Sequence, residues 1–219
     1  MRVPTQDRFV HAAGRAWLTR VYDPVVALTS RERRFRALLG ERVSAGLPDG
    51  GTVLDMGCGT GTFAITLAAA RPDATVIGID GDPEILGIAR AKRGAERVDW
   101  REGLAGELDL STESADAVVM SLLLHHLQPA AKHAALADAR RVLRPGGMLH
   151  IADWGRPHDA IMRTAFGVLQ LIDGIPNTRD HAAGRLPAFV ADAGFADVTT
   201  YARLRTTFGS LELLSAQCA

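Results

Sequence analysis

The stretch VLDMGCGTG (53–61) ends an apolar run with an acid and then places glycines at three alternate positions, Gly57, Gly59 and Gly61. A glycine turn after a strand lets a ligand lie against the main chain, because no Cβ intervenes. The helix that follows offers unpaired N–H groups to the same ligand. Asp55, two residues before the first glycine, adds a carboxylate that suits a cationic ammonium group. The stretch therefore predicts a cofactor site; a tight turn of purely structural function is the alternative.

The glycine spacing distinguishes between two classes of cofactor. The dinucleotide fingerprint G-x-G-x-x-G needs a glycine at position 62, which is Thr62 here. A carboxylate would also serve no obvious purpose beside a pyrophosphate. An NAD-dependent enzyme is therefore a disfavoured hypothesis.

A second acid, Asp80, ends the apolar stretch VIGID (76–80). A carboxylate at the end of the second strand of an α/β sheet can accept both hydroxyls of a ribose. Taken alone, an acid at a strand end is often an ordinary helix cap. Combined with the glycine turn, Asp80 predicts that the cofactor contains a nucleoside.

Groups that could take up a proton follow two later apolar stretches. His125 and His126 come after residues 115–123, and Asp153 lies at the end of residues 148–154. Imidazole is the side chain whose ordinary pKa suits a base near neutral pH. We predict these three as catalytic candidates; the alternative is that backbone groups satisfy the histidines and that Asp153 is structural. His158 follows Asp153 in the same group of candidates. Trp17 and Tyr22, in the N-terminal helical stretch, could close over a substrate, and the alternative is that they are ordinary core residues.

The segments that must position these residues alternate between strand and helix patterns. Apolar runs predict strands at 52–56, 75–80, 97–102, 115–123 and 148–154. Helices are predicted between them, over 62–70, from Pro83 after the capping Asp82, and over about 130–143. Strands separated by such helices form a parallel sheet with helices on both faces. In such a sheet ligands bind outside the carboxyl ends of the strands, where the candidate residues lie.

Both ends of the chain depart from this alternation. Residues 197–204 and 210–217 have strand patterns with no helix between them, which predicts an antiparallel hairpin at one sheet edge. Residues 5–46 have a helical pattern, with a capping box formed by Thr29 and Glu32. We expect an N-terminal helical cap over 1–46 and one larger domain over 47–219, together one structural unit.

A mostly apolar segment, DAIMRTAFGVLQLIDGIP (159–176), lies within a predicted helical insertion at about 156–190. Such an insertion commonly covers the pocket of the second substrate in this class of fold, although an ordinary core helix is an equal alternative. If the segment is a lid, the acceptor should be largely apolar.

Composition excludes several classes of partner and site. The 219 residues contain 25 Lys plus Arg and 25 Asp plus Glu, so no net field attracts nucleic acid. The two cysteines, Cys58 and Cys218, have no disulfide or metal-ligand spacing, and we predict no metal. The N-terminus lacks the apolar core of a signal peptide, and no apolar run is long enough to span a bilayer. We expect a cytoplasmic protein.

The stretches VLDMGCGTG, VIGID, DAVVMSLLLHHL and RVLRPGG together resemble the motifs of class I S-adenosylmethionine-dependent methyltransferases. The chain is most similar to the small bacterial type that includes the ubiquinone/menaquinone-biosynthesis methyltransferases, over roughly residues 47–219. This resemblance implies a doubly wound, mostly parallel α/β sheet of seven strands, a Rossmann-like fold whose last strand is antiparallel.

The resemblance also implies cofactor roles for individual residues. Asp55 and the three glycines would surround the methionine part and the ribose of S-adenosylmethionine, and Asp80 would hold the ribose hydroxyls. Gly81 would leave room beside the adenine, and Ser121 would approach the sulfonium. After the third strand the family often has Gly-Asp-Ala, where this chain has Gly103-Leu104-Ala105. Leu104 and Ala105 would therefore meet the adenine through apolar contact and backbone groups.

The function predicted from these residues is methyl transfer from S-adenosylmethionine to a small, largely apolar acceptor. The alternative is a protein of the same fold that binds the cofactor without methylating anything. The acceptor atom, whether oxygen, carbon or nitrogen, stays open. So does the oligomeric state, with a homodimer among the options.

Overall fold

A computed structural model describes residues 32–219 of the chain. Its strands are β1 (Thr52–Met56), β2 (Thr75–Asp80), β3 (Val98–Glu102), β4 (Ala115–Ser121), β5 (Leu143–Trp154), β6 (Phe195–Thr206) and β7 (Gly209–Cys218). Its α-helices are α1 (Glu32–Gly46), α2 (Thr62–Ala70), α3 (Pro83–Arg90), α4 (Pro129–Val142), α5 (Ala160–Asp173), α6 (Ile175–Ala182) and α7 (Leu186–Asp192).

The strands form one seven-stranded sheet in the order β3-β2-β1-β4-β5-β7-β6. Strands β1 to β5 pair in parallel, whereas β7 runs antiparallel to both β5 and β6. The predicted doubly wound, mostly parallel sheet with a C-terminal hairpin is confirmed. The strand order reverses between β1 and β4, and this is where ligands bind in open α/β sheets.

Helices cover the sheet on both faces because the inner strands are apolar on both sides. On one face, Phe35 of α1, Phe63 of α2 and Phe166 of α5 enter the same core cluster. On the other face, Leu136 of α4 and Phe189 of α7 pack against the sheet. Helix α1 is thus part of the core of the domain.

Two predicted boundaries near the site differ from the structure. Strand β4 ends at Ser121, two residues early, because Leu122 leaves the strand with a positive φ of 53°. Strand β5 begins at Leu143, within a stretch predicted to end the preceding helix. Leu143 pairs with Ala115 before the register shifts to the pairing of Met148 with Ala117.

The predicted insertion consists of α5, α6 and most of α7. Trp17, Tyr22 and Thr29 lie outside the described residues, as does most of the predicted N-terminal cap. Within residues 32–219, no helix combines the length and the apolar character needed to cross a bilayer.

Candidate functional site

The predicted site residues gather at the carboxyl ends of β1, β2, β4 and β5. These four strands lie side by side in the sheet, so the segments that follow them meet at one edge. The glycine turn follows β1, and the histidines follow β4 across the reversal of strand order. The topology therefore brings the predicted cofactor residues and the predicted catalytic residues to one site.

The glycine turn is anchored on β2. The amide groups of Gly57 and Cys58 both donate to the carbonyl oxygen of Ile79, at 2.8 and 2.9 Å. Helix α2 begins after Gly61 without a side-chain cap, so its first N–H groups stay available to a ligand. Cys58 is a free thiol, and burial raises its pKa, which fits a packing residue rather than a nucleophile.

The three glycines differ in what surrounds them, although all three have positive φ. A Cβ on Gly59 would have no atom within 4 Å, so the space beside it is open. A Cβ on Gly61 would lie 2.2 Å from the Trp100 ring, and one on Gly57 would lie 2.7 Å from Leu123. Gly59 is therefore the glycine of the three that leaves open space beside the main chain, whereas the protein's own side chains fill the space beside the other two.

Asp55 is buried, with 1 % of its surface exposed, and lies between β2 and β4 in the sheet. Neither of its carboxylate oxygens has a partner at hydrogen-bonding geometry among the described residues. Burial raises the pKa of Asp55 to about 7, although the nearby Arg36 and, more weakly, the backbone amide of Ala64 oppose the rise. A buried carboxylate without partners costs free energy, so it fits a ligand that brings a positive charge and N–H donors.

Asp80 holds the glycine turn in place. Its Oδ2 accepts from the amide of Gly59 at 2.8 Å, and its Oδ1 accepts from the amide of Asp82 at 3.0 Å. A carboxylate can accept about four hydrogen bonds, so sites remain for the hydroxyls of a ribose. Burial raises the pKa of Asp80, while these amide hydrogen bonds lower it.

The segment after β3 lies beside Asp80. The amide of Gly103 donates to the Asp80 carbonyl oxygen at 3.1 Å, which places Leu104 and Ala105 near the end of β2. Leu104 has 36 % of its surface exposed and presents an apolar side chain at this edge, where Gly81 is partly buried. The geometry offers an aromatic base an apolar contact on Leu104.

The end of β4 is strained. Ser121 is the last residue of the strand, and Leu122 follows with a φ of 53° that branched side chains rarely adopt. The Leu122 amide donates to the carbonyl oxygen of Ala152 on β5, at 2.8 Å. This bond sends the chain into the short helical turn of residues 124–126, which carries the two histidines.

His125 and Asp153 form a buried pair. The Nδ1 atom of His125 lies 2.7 Å from Oδ1 of Asp153, and both residues are at most 2 % exposed. The carboxylate also accepts from the amides of Leu124 and Trp154, at 2.8 and 2.7 Å. Burial by itself raises the pKa of Asp153, but the charge and hydrogen bond of His125 hold it well below its usual range. The ionised carboxylate accepts a hydrogen bond from Nδ1, so Nε2 is the ring nitrogen at which His125 would gain or lose a proton.

Asp173, at the end of α5, faces both histidines. Its Oδ2 lies 3.8 Å from Nε2 of His125, and its Oδ1 lies 3.6 Å from Nδ1 of His126. Burial raises the pKa of Asp173, and burial together with His125 lowers the pKa of His126 to about 3. The cluster of His125, His126, Asp153 and Asp173, here named the histidine cluster, thus combines imidazole nitrogens with carboxylate oxygens.

Sequence reasoning missed Asp173 and two neighbours on α4 and α6. His181 donates from Nδ1 to the carbonyl oxygen of Trp154 at 2.6 Å, and its ring centroid lies 6.3 Å from that of His125. Lys132, 1 % exposed, donates to the Asn177 carbonyl oxygen at 2.6 Å. Asp173 and His181 are polar residues of the predicted insertion, whereas Lys132 lies on the helix before β5. Their partners depend on how the insertion packs against that helix and the end of β4, which the local sequence does not give.

His158, by contrast, lies away from the histidine cluster. Its Nδ1 is 2.6 Å from the Ser210 hydroxyl, and it lines a surface cavity of about 480 Å³ together with three arginines. Neither predicted histidine nor Asp153 lines this cavity. His158 therefore faces a cavity that the histidine cluster does not line, and its role stays a prediction.

The insertion helix α5 has two apolar faces rather than one. Met162, Phe166 and Leu169 are buried against the domain. The outer face carries four exposed apolar side chains: Ile161, Val168, Leu171 and Ile172. The buried face of α5 packs as an ordinary core helix does, which is the alternative to a lid. Asp173, the last residue of α5, reaches the histidine cluster.

Comparison with known proteins shows what part of this chain is similar to. Residues 53–147 match a family model described as a methyltransferase domain. An uncharacterised methyltransferase of Synechocystis is 35 % identical over 62 % of this chain and 65 % of its own length. A demethylmenaquinone methyltransferase of Tropheryma whipplei is 38 % identical over 51 % of this chain and 45 % of its own length. The chain thus matches less than two thirds of the length of either relative.

Solved structures match the fold over nearly the whole chain. An S-adenosylmethionine-dependent methyltransferase of Thermotoga maritima superposes with a TM-score of 0.69 at 20 % identity, covering 93 % of this chain and 97 % of its own. At this identity the likeness shows the fold, which is the Rossmann-like methyltransferase fold predicted from the sequence.

Proposed function

We propose that this chain, whose residues 53–147 match a methyltransferase domain model, transfers a methyl group from S-adenosylmethionine to a small, largely apolar acceptor. The observation that carries the proposal is the buried carboxylate of Asp55, which has no hydrogen-bond partner among the described residues. It lies on the strand that leads into the turn with open space at Gly59. A cationic amino acid bound against that turn would satisfy the carboxylate.

The residues present fit each part of the cofactor. The ammonium group would pair with Asp55, and the methionine main chain would lie against Gly59 and the first N–H groups of α2. The ribose hydroxyls would donate to the free lone pairs of Asp80. The adenine would pack on Leu104 and Ala105 beside Gly81, and Ser121 would lie towards the sulfonium.

The cofactor supplies an already activated methyl group. An electron pair of the acceptor forms the new bond to the methyl carbon while the carbon–sulfur bond breaks, and its electrons return to sulfur. The protein must align the two partners, exclude water and take up any proton that the acceptor loses.

The histidine cluster supports an acceptor that loses a proton. Asp153 orients His125 so that Nε2 carries a lone pair, which is the arrangement of a general base. A hydroxyl or an activated carbon needs such a base, whereas a neutral amine does not. Leu122, Leu123 and Trp154 lie next to the cluster in sequence or in space, and they favour an acceptor with a large apolar part.

Calorimetric titration with S-adenosylhomocysteine tests the cofactor part of the proposal. We expect binding of this product and none of NAD, which would need the dinucleotide fingerprint. Asp80→Ala should weaken binding at least tenfold, because it removes two charge-assisted hydrogen bonds of about 1.5–3 kcal/mol each and frees the Gly59 amide. Asp99→Ala, which removes an exposed strand acid paired with Arg101, is the matched control. Equal affinity in the folded Asp80→Ala protein would remove Asp80 from the site.

Release of the labelled methyl group over a panel of acceptors tests the reaction. The panel should contain phenols, quinone-type carbons, amines and thiols of similar apolar area. We expect turnover with hydroxyl or carbon acceptors. A protein that binds the cofactor but methylates nothing in the panel would support the non-methylating alternative.

A further inference from the structure

Three donor atoms of the histidine cluster lie close enough together to share one cation. His125, His126 and Asp173 each offer one nitrogen or oxygen, and these atoms all lie within 4.8 Å of one another. The donors come from two separate elements, the turn after β4 and the end of α5. Both imidazole–carboxylate distances, 3.6 and 3.8 Å, are too long for hydrogen bonds. No hydrogen bond among residues 32–219 therefore accounts for the position of the Asp173 carboxylate.

The ring of His125 is oriented as a metal-binding imidazole is. Its Nδ1 lies 2.7 Å from Oδ1 of Asp153, which leaves Nε2 as the nitrogen that faces Asp173, at 3.8 Å. Imidazole ligands of metals almost always donate their second nitrogen to a carboxylate or carbonyl in this way, which sets the tautomer and increases ligand basicity. Without a cation or a proton between them, the Nε2 lone pair and the Asp173 carboxylate present two acceptors to each other.

The spacing is close to that of a transition-metal site. Ligand atoms bound to zinc at about 2.0–2.2 Å lie about 3.3–3.5 Å apart in a tetrahedron. The two imidazole–carboxylate distances exceed this spacing by a few tenths of an ångström, but they end on different oxygens of Asp173, and the three donor atoms all lie within 4.8 Å of one another. Changes of side-chain torsion at Asp173 and at the two histidines would bring one oxygen and both nitrogens to a single ion.

We propose that His125, His126 and Asp173 form a binding site for one divalent transition-metal ion, with Zn²⁺ as the ion that the donors fit. Two imidazoles and one carboxylate form a donor set that suits zinc, iron or cobalt, whereas magnesium and calcium prefer oxygen ligands alone. Three protein ligands leave a fourth position open, as in catalytic zinc sites. This site departs from the sequence-based expectation of no metal.

The proposed cation and a proton compete for the same atom, Nε2 of His125. A bound cation would take that atom out of proton transfer and offer its own open position to an acceptor oxygen instead. Binding of the cation itself does not rest on the proposed methyl transfer, because it can be measured without cofactor or acceptor.

The test uses tag-free protein stripped of metal with a chelator and then titrated with Zn²⁺ by calorimetry and with Co²⁺ by visible absorption. We expect one equivalent to bind and the Co²⁺ complex to show the intense bands of a site with few ligands. Asp173→Asn and His126→Ala should each weaken binding at least tenfold, since each removes a direct ligand. His133→Ala and Asp192→Asn remove an exposed histidine and an exposed carboxylate elsewhere, and they should bind as the parent does.

Two outcomes would overturn the site. One is the absence of saturable uptake of one equivalent by the parent protein; the other is parental affinity in both Asp173→Asn and His126→Ala. Thermal melts of the metal-free variants show whether each is folded, so lost binding is not confused with lost structure. Binding of S-adenosylhomocysteine, measured in the presence of a chelator, tests the proposed function separately. The residues predicted to bind the cofactor are not among the proposed metal ligands His125, His126 and Asp173.

Discussion

At the scale of single residues, the two buried acids Asp55 and Asp153 differ in the hydrogen bonds that the protein gives them. Asp153 is fully buried yet accepts from several amides and from His125, so the protein itself satisfies it. Asp55 is equally buried and has no hydrogen-bond partner among residues 32–219. The protein tolerates the cost at Asp55, which is what a site for a cationic ligand requires.

The role of His125 gives the residue-scale prediction. In chelator, where no cation occupies the histidine cluster, His125→Ala should lower the rate of methyl transfer to a hydroxyl or carbon acceptor by about 10²- to 10⁴-fold. The affinity for S-adenosylhomocysteine should stay at the parental value. The measurement is single-turnover transfer from pH 6 to pH 9, with His126→Ala alongside and His133→Ala as control.

An unchanged rate and pH profile in both His125→Ala and His126→Ala would show that neither ring is the base. It would also favour an amine or thiol acceptor that reacts already deprotonated. Asp153 would then be the next residue to replace. Asp153→Asn would exchange the acceptor of the Nδ1 proton for an amide and so disturb the tautomer of His125.

At the scale of elements, the glycine turn joins two functions. It turns the chain from β1 into α2, which needs positive φ, and it leaves the space beside Gly59 open. Trp100 of β3 fills the space at Gly61 and at Gly78 of β2, so the turn is packed from below by the sheet's own side chains. The open space at Gly59 therefore lies in a turn whose neighbouring positions are closely packed.

Gly59→Val gives the prediction for this element. Its side chain would occupy the open space where the cofactor should lie, so we expect loss of S-adenosylhomocysteine binding. A positive φ also makes any side chain strained, at a cost of about 1–2 kcal/mol. Gly50→Val is the matched control, since Gly50 has a φ of 70° and also has no atom within 4 Å of an added Cβ.

Both variants should lose similar amounts of stability in urea unfolding, and Gly59→Val alone should lose binding. Parental affinity in folded Gly59→Val would show that the cofactor does not approach this turn. Loss of binding in Gly50→Val as well would mean that strain, rather than occupied space, disrupts the site.

At the scale of the whole molecule, Asp55 links the cofactor site to the pH dependence of stability. The pKa of Asp55 rises from an ordinary value of 3.8 to about 7 in the folded protein, because burial disfavours the carboxylate. The folded state thus holds a proton that the unfolded state releases between these pH values. The free energy of unfolding therefore falls as pH rises from about 4 to about 7, and the Asp55 contribution is constant above pH 7.

Asp55→Asn tests this linkage in the cofactor-free protein. At about 1.4 kcal/mol per pH unit, ionisation of Asp55 costs about 4 kcal/mol above pH 7. The difference in the free energy of unfolding, Asp55→Asn minus the parent, should therefore be more positive at pH 8 than at pH 5. Urea unfolding at the two pH values measures the difference, and the exposed Asp192→Asn should show none.

S-adenosylhomocysteine should have the opposite pH dependence, because its ammonium group pairs with the ionised carboxylate. Its affinity for the parent should increase from pH 5 to pH 8, and Asp55→Asn should bind weakly at both values. If the stability difference between the variant and the parent is the same at pH 5 and pH 8, Asp55 is already ionised in the folded protein.

The sequence by itself determined the local elements and the order in which they follow one another. Glycines at alternate positions specify a turn that needs positive φ, Asp82 and Pro83 specify a helix start, and two strand patterns without an intervening helix specify a hairpin. Each of these depends on neighbours within a few residues, so each is visible in the chain. The placement of Asp55, Asp80 and the histidines at one edge follows from the parallel order of the strands.

The tertiary structure decided which side chains meet. The partner of Gly61 is Trp100 of β3, and the acid that faces both histidines is Asp173 of α5. These contacts join segments far apart in the chain, and they depend on how the insertion packs across the sheet edge. The local sequence does not predict such packing. The free energy that favours one packing arrangement comes from burying whole faces of helix and sheet.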